Sequence, residues 1–155
     1  MKRSSGVLVY RYNHNQLQVL LCHLGGPFFK NQDIGAWSIP KGEIQKEKII
    51  DGAIREFQEE TGFSLEKENL KYLCSKKQKS KKLIIMFYIE NDFDTKKATS
   101  NTFIREYPKG SGMMVEFKEM DQAKWMNLEE AKEKIMIGQQ YFLNRLEYVL
   151  TTSKK

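Results

Sequence analysis

The chain reads as an α/β fold, a sandwich of helices on a mixed sheet. Three observations predict it. Strand-like segments come first, a helix follows, further strands come next and two helices close the chain. Residues 49–61 place Ile50, Ala53, Ile54, Phe57 and Thr61 on one side of a helix, the spacing of a core-facing stripe. Residues 83–89 are nearly all apolar, as in a central strand buried on both faces.

The elements follow in order. Residues 6–12 and 18–24 read as two strands, and the polar stretch Asn13-His14-Asn15-Gln16 between them suits a hairpin turn. Gly25-Gly26-Pro27 breaks the second strand and opens a loop carrying Phe28, Phe29 and Lys30. Trp37-Ser38-Ile39 forms a short strand closed by Pro40. The helix over 49–61 ends at Gly62, placed for a left-handed cap. Strands are predicted over 70–75, 83–89 and 123–126, and helices over 128–135 and 139–150, where Phe142, Leu146 and Val149 recur at helical spacing.

Bulk properties narrow the function. A length of 155 residues suits one domain over 1–155, and no repeat or linker divides it. The chain is 40% hydrophobic and 30% charged, the balance of a soluble protein with a real core. No apolar run approaches the ~20 residues that cross a bilayer, so no membrane partner is expected. Met1-Lys2-Arg3-Ser4-Ser5 lacks the apolar core of a signal peptide, which makes the cytoplasm the expected compartment. There Cys22 and Cys74, each in an apolar neighbourhood, are expected as buried thiols. The net charge of +6 favours anionic partners, phosphates or nucleic acid.

Chemistry concentrates in Arg55-Glu56-Phe57-Gln58-Glu59-Glu60-Thr61-Gly62-Phe63, shortly after Pro40-Lys41-Gly42. Glu56, Glu59 and Glu60 stand at i, i+3 and i+4. At about 100° per residue they fan over one side of the helix, away from the apolar stripe and at the rim of a cleft. Three carboxylates crowded there repel one another unless a cation holds them, and oxygen ligands alone suit Mg²⁺ or Mn²⁺. A solvated acidic face is the alternative for an isolated Glu-x-x-Glu-Glu. Pro40-Lys41-Gly42, Arg55 and Gly62, all in register, favour the metal site.

These residues resemble the Nudix hydrolase signature: a glycine, five residues, Glu, seven residues, then Arg-Glu-apolar-x-Glu-Glu-x-Gly-apolar. From Glu47 onward the match is complete, while the stretch from Gly42 to Glu47 is one residue short. Gly25-Gly26-Pro27-Phe28, Ser100-Asn101-Thr102-Phe103, Gly110-Ser111-Gly112, Glu116-Phe117-x-Glu119 and Gly138-Gln139 look like one bacterial branch, the predicted nucleoside triphosphate pyrophosphohydrolases. The resemblance implies a Nudix-type α/β/α sandwich and Mg²⁺-dependent hydrolysis of a phosphoanhydride in a nucleoside diphosphate linked to another group. A nucleoside triphosphate is the first choice of substrate. Dinucleoside polyphosphates and an RNA 5′ end are the alternatives, and a non-catalytic nucleotide or RNA sensor is the reading from another class.

By the same resemblance Glu56, Glu59, Glu60 and the Lys41 carbonyl are metal ligands, and Arg55 orients a carboxylate. Glu60, Glu59 or Glu119 serves catalysis. Glu119, six residues before Trp125, is ranked above Glu116 as base or extra ligand. Glu47 contacts the loop or Arg55, or places a favourable charge in the first helical turn. Lys41, Arg105 and Lys109 are candidates for phosphate binding, and Phe28, with Phe29, Trp37 and Tyr107, for base stacking. The basic run over 76–82 is read as a solubilising hairpin tip, with a phosphate or RNA contact as the alternative. Where ADP-ribose hydrolases carry a downstream proline this chain has Gln78, and where diadenosine polyphosphate hydrolases carry a tyrosine it has Lys79, Ser80 and Lys81.

Overall fold

The computed structural model describes residues 2–152. Strands β1 (Arg3–Asn13) and β2 (Gln16–Leu24) form an antiparallel hairpin with Asn13 opposite Gln16. Its turn residues, His14 and Asn15, both take positive φ, 51° and 66°. That is the two-residue turn whose twist matches the flanking strands, and His and Asn tolerate the left-handed region better than most residues.

Beyond the hairpin the two strands part, and the chain fills the gap with its own backbone. Strand β3 (Trp37–Ser38) pairs with the end of β2, and β4 (Lys41–Glu43) pairs with the start of β1. Val7 N–H donates to the Pro40 carbonyl and Leu24 N–H to that of Ala36, sealing both sides of this wedge. Gly6 permits the approach, because a Cβ there would lie 2.6 Å from the Pro40 oxygen. The wedge holds the backbone of Lys41 against the helix described next.

Helix α1 (Ile49–Thr61) packs on one face of the sheet and ends at Gly62, whose φ of 80° and N–H bond to the Gln58 carbonyl close it. After it come β5 (Lys71–Lys77) and β6 (Leu83–Glu90). They pair antiparallel, and β6 pairs in parallel with β1. Strands β7 (Thr102–Glu106) and β8 (Met114–Lys118) make a separate two-stranded sheet, and β9 (Met120–Asn127) lines the outer edge of β2. Helices α2 (Leu128–Lys134) and α3 (Gln140–Thr152) cover the second face.

The pleat of β1 sorts its side chains between two cores. Val7 and Val9 join Leu20, Ala53, Phe57 and Ile89 under α1, while Leu8 and Tyr10 join Leu21, Phe142, Leu143 and Leu146 under α3. Strand β6 serves both, Ile84 and Met86 facing α3 and Ile89 facing α1, as its apolar run predicts. The result is the predicted α/β/α sandwich with a mixed sheet.

Helix α1 has the predicted bounds, but its buried stripe differs from the one read from the sequence. Gly52, Ala53, Phe57, Glu60 and Thr61 are buried, whereas Ile50 and Ile54 are half-covered. Glu60 stands seven residues from Ala53 and three from Phe57, so the same helical spacing that buries those two carries its carboxylate inward. Strands β4, β7 and β8 have no counterpart in the sequence reading, since short polar segments carry no period of their own. Cys22 and Cys74 are free and buried, as expected. No helix among the described residues is long and apolar enough to cross a membrane.

Candidate active site

Arg55 is the hub of the charged face of α1. Its Nε and Nη2 donate to Glu47 Oε1 at 3.1 and 2.8 Å, and its Nη1 donates to Glu56 Oε1 at 3.1 Å and Glu59 Oε2 at 3.2 Å. Nη2 also reaches the Glu43 carbonyl at 3.2 Å, tying α1 to β4. One guanidinium thus sets the direction of three carboxylates, which its planar fork allows and a lysine would not. Glu47 accepts from the Gln45 N–H as well, so the shortened loop still delivers it to Arg55. Burial works against the charge on Arg55, yet hydrogen bonding to Glu47 and the neighbouring carboxylates lift its pKa above the ordinary value. The same contact holds Glu47 below the usual carboxylate range.

Glu60 is the buried member, only 5% exposed. Its Oε2 accepts the Lys41 N–H at 3.2 Å, and its Oε1 is buried without a hydrogen-bond partner. Burial, then Glu56 and Glu119, push its pKa up to about 9. Burial and Glu59 also raise Glu56. Lys41 is lowered, by burial first and then by the nearby Lys82 ammonium. Gly42 makes the meeting of strand and helix possible, because a Cβ at that position would fall inside the Glu56 carboxylate.

Glu119 reaches this group through the backbone. Asn101 N–H donates to the Glu59 carbonyl at 2.8 Å, and its own carbonyl accepts the Glu119 N–H at 2.8 Å. That bridge brings the junction of β8 and β9 to the C-terminal end of α1. Glu119 lies close enough to raise both Glu56 and Glu60. Glu116 instead sits exposed on β8, opposite Ile104.

A cavity of about 310 Å³ opens beside Glu60, lined by Thr95, Lys96, Thr99, Ser100, Lys118 and Gln122 among others. Among the described residues lining it there is no aromatic ring. Arg105 and Lys109 lie exposed on the two-stranded sheet and its turn and are not part of this lining. Phe28 is 68% exposed and packs edge-on against Phe29, again outside the cavity. The sequence reading missed Lys96 and Lys118. Lys96 sits on a short turn capped by Asp94, with no spacing to mark it. Lys118 had a signal in its position next to Glu119.

Among the described residues no three carboxylate, imidazole or thiolate side chains already converge as a group that could hold a metal ion. Arg55 already occupies an oxygen each of Glu47, Glu56 and Glu59, and the Lys41 amide takes one oxygen of Glu60. The donor set nonetheless fits a hard divalent cation. All its atoms are oxygen, and a buried acceptor with no donor, such as Glu60 Oε1, costs about 1–3 kcal/mol until something satisfies it.

Known proteins place the chain. The NUDIX domain family model matches residues 2–146. No match was found among curated proteins. Among solved structures, a C. elegans Ap4A hydrolase binary complex superposes with a TM-score of 0.65 at 20% identity, covering 98% of this chain and 99% of that one. The NUDIX domain of Shewanella oneidensis NrtR, complexed with ADP ribose, gives a TM-score of 0.66 at 14% identity, over 96% and 87%. A MutT/nudix family protein from Enterococcus faecalis gives 0.59 at 20% identity over 81% of this chain, which spans only 43% of that protein. At such identities these likenesses concern the fold, and the family match carries the assignment. The chain belongs to the Nudix family and is a Nudix hydrolase, a pyrophosphohydrolase of nucleotide-linked substrates.

Proposed function

We propose that this chain, acting as a single cytoplasmic domain, is a nucleoside triphosphate pyrophosphohydrolase. The observation that carries the reading is the unpartnered, buried Glu60 oxygen beside a small cavity lined by Lys96 and Lys118. That cavity is polar, without a ring to stack a base, and suits the terminal phosphates of the substrate. Glu56, Glu59, Glu60 and the Lys41 carbonyl would hold Mg²⁺ or Mn²⁺. When bound, the cation supplies neutralisation of the anhydride's charge and a lowered pKa for water.

The chain's own residues supply the rest. Arg55 keeps Glu56 and Glu59 in fixed directions. Lys96 and Lys118 neutralise the outer phosphates. Glu119, exposed and close to Glu56 and Glu60, accepts the proton of the water that attacks phosphorus. The P–O–P bond breaks, its electrons leave with the bridging oxygen, and a nucleoside monophosphate and pyrophosphate result.

A panel of nucleotides, with and without Mg²⁺ and with products identified by mass, tests this. Nucleoside triphosphates, a dinucleoside tetraphosphate and ADP-ribose belong on it, the last two because of the structural likenesses. The expected result is metal-dependent pyrophosphate release from a triphosphate. Tight binding with no release from any member would replace the enzyme by a nucleotide sensor.

A further inference from the structure

We propose that strand β7 is an interface for a second copy of this chain. Two β7 strands pair antiparallel about a twofold axis at Ile104 and merge the two small sheets into one continuous sheet. The inference concerns assembly and stands whatever nucleotide the carboxylate site takes.

The edge is open. Strands β7 and β8 form a sheet of their own, with no third strand beside them among the described residues. Two strands alone are marginally stable in water, and an unpaired edge offers a row of N–H and C=O groups to another chain. Hydrogen bonds at the two ends of the ladder fix which groups those are. Tyr107 N–H donates to the Met113 carbonyl and Glu119 N–H to that of Asn101, both at 2.8 Å. Both bonds keep the ladder's register, and both fall on odd-numbered residues. Such pairs recur at every second residue of an antiparallel ladder. Phe103 and Arg105 therefore turn their backbone groups to β8, while the N–H and C=O groups of Thr102, Ile104 and Glu106 point outward.

A twofold axis at Ile104 uses the whole strand and matches those outward groups to their own copies. It sets Ile104 opposite the same residue of the second copy, Thr102 opposite Glu106 and Phe103 opposite Arg105. No like charges meet, and each guanidinium is set against an aromatic ring. Ile104 and Met114, each 65% exposed, are diagonal neighbours on one face of the arm, so the axis gathers apolar side chains that a lone copy leaves in water. Two other edges do not fit. Strand β5 paired with itself about Cys74 sets Lys71 against Lys77, the charged edge that keeps strands apart. The far edge of β8 is closed at one end, where Gly25 N–H donates to the Glu119 carbonyl at 2.8 Å and a Cβ on Gly25 would strike the Lys118 carbonyl. Pairing β8 about Glu116 would also oppose two carboxylates. A twofold contact requires a self-complementary patch, and of these three edges β7 is the one that has it. The arm also reaches the active site. Asn101 directly precedes β7 and its N–H holds the Glu59 carbonyl, and β8 ends at Lys118 in the Glu60 cavity.

Sedimentation velocity across micromolar concentrations is expected to show a reversible dimer of the wild type, and a monomer throughout overturns the proposal. Ile104→Lys places two ammonium groups at the axis, and Ile104→Pro removes the outward N–H without touching a bond to β8. Each is expected to weaken association at least about ten-fold, with melting temperatures of the monomers reporting that the fold survives. Dimers of unchanged strength in both variants overturn the assignment to β7. Crosslinking gives a readout independent of stability. Opposed residues of a hydrogen-bonded pair have Cα atoms about 5.5 Å apart, within reach of a disulfide. Cys22 and Cys74 are buried, so mild oxidation is expected to yield a covalent dimer from Ile104→Cys and none from Glu116→Cys on the neighbouring strand. Equal yields from the two, or none from Ile104→Cys, overturn the register. Amide exchange in the wild type sharpens it further. As concentration rises, exchange at Thr102, Ile104 and Glu106 is expected to slow while that at Phe103 and Arg105 does not, and the opposite pattern overturns the pairing.

Discussion

Two buried polar side chains grip the same wedge of backbone from opposite faces of the sheet, and they are treated differently. On the α3 side Gln139, 3% exposed, accepts the Ile39 N–H at 2.8 Å and donates to Ser38 Oγ at 2.9 Å. Both ends of its amide are satisfied by protein. On the α1 side Glu60 accepts the Lys41 N–H with one oxygen and has no partner for the other. Gln139 completes the structure it belongs to. Glu60 keeps one buried oxygen that no protein group satisfies, the pattern the proposed function would give a residue kept for chemistry rather than for architecture.

Four experiments bear on this contrast. The largest effect is expected from Glu60→Gln, which keeps shape and removes charge. Turnover should fall by about two to four orders of magnitude while the melting temperature in the absence of metal does not drop. Unchanged turnover with Mg²⁺ present would erase the distinction between the two sites.

The pH dependence of stability comes next. Glu60 holds its proton up to about 9 in the folded chain, against an ordinary 4.5. Between those values the folded state binds more protons than the unfolded one. Stability from this group is therefore fully present below about 4.5 and is lost as pH rises through about 9, at up to about 1.4 kcal/mol per pH unit. Thermal melts of the metal-free protein across that window should show the decline, and Mg²⁺ should reverse it at the alkaline end by binding the folded state. Glu60→Gln should show neither the slope nor the rescue.

Gln139→Leu tests the other side. It leaves the Ile39 N–H buried without an acceptor, so denaturant titration should show a loss of about 1–3 kcal/mol, with turnover far less affected than by Glu60→Gln. Smallest is Asn127→Ala. Asn127 Oδ1 accepts the Glu130 N–H at 2.9 Å and caps α2, whereas α1 begins at Lys48 without a side-chain cap. Removing it should lower stability by about 1 kcal/mol with catalysis intact.

Much of the active helix was legible beforehand. Its bounds and its glycine stop follow from spacings of a few residues, which helical geometry turns directly into position, whereas the meeting of Arg55 with Glu47, which lies before the helix, was one of the options left open by the family resemblance. The hairpin at His14 and Asn15 was legible for the same reason. The basic run over 76–82 was read as a hairpin tip, and it is one, but its nearness to Lys41 depends on the pairing of β4 and β6 with β1, which no local pattern announced.

The rest is a matter of long-range pairing. Whether Glu60 lies at a rim or inside depends on how α1 rolls against β1, and the stripe of Ile50 and Ile54 pointed to a different roll from the one that packing chose. Glu119 meets Glu56 and Glu60 only because Asn101 bridges α1 to the start of β9. Lys96 and Lys118, on separate elements, likewise share a cavity only through tertiary contacts. What the amino-acid order decided alone was which acidic groups ride on one turn of helix, since period and propensity act within a few residues. Which of them is dehydrated, and which cations face it, was decided by tertiary contacts, because burial and Coulomb forces depend on neighbours in space rather than in sequence.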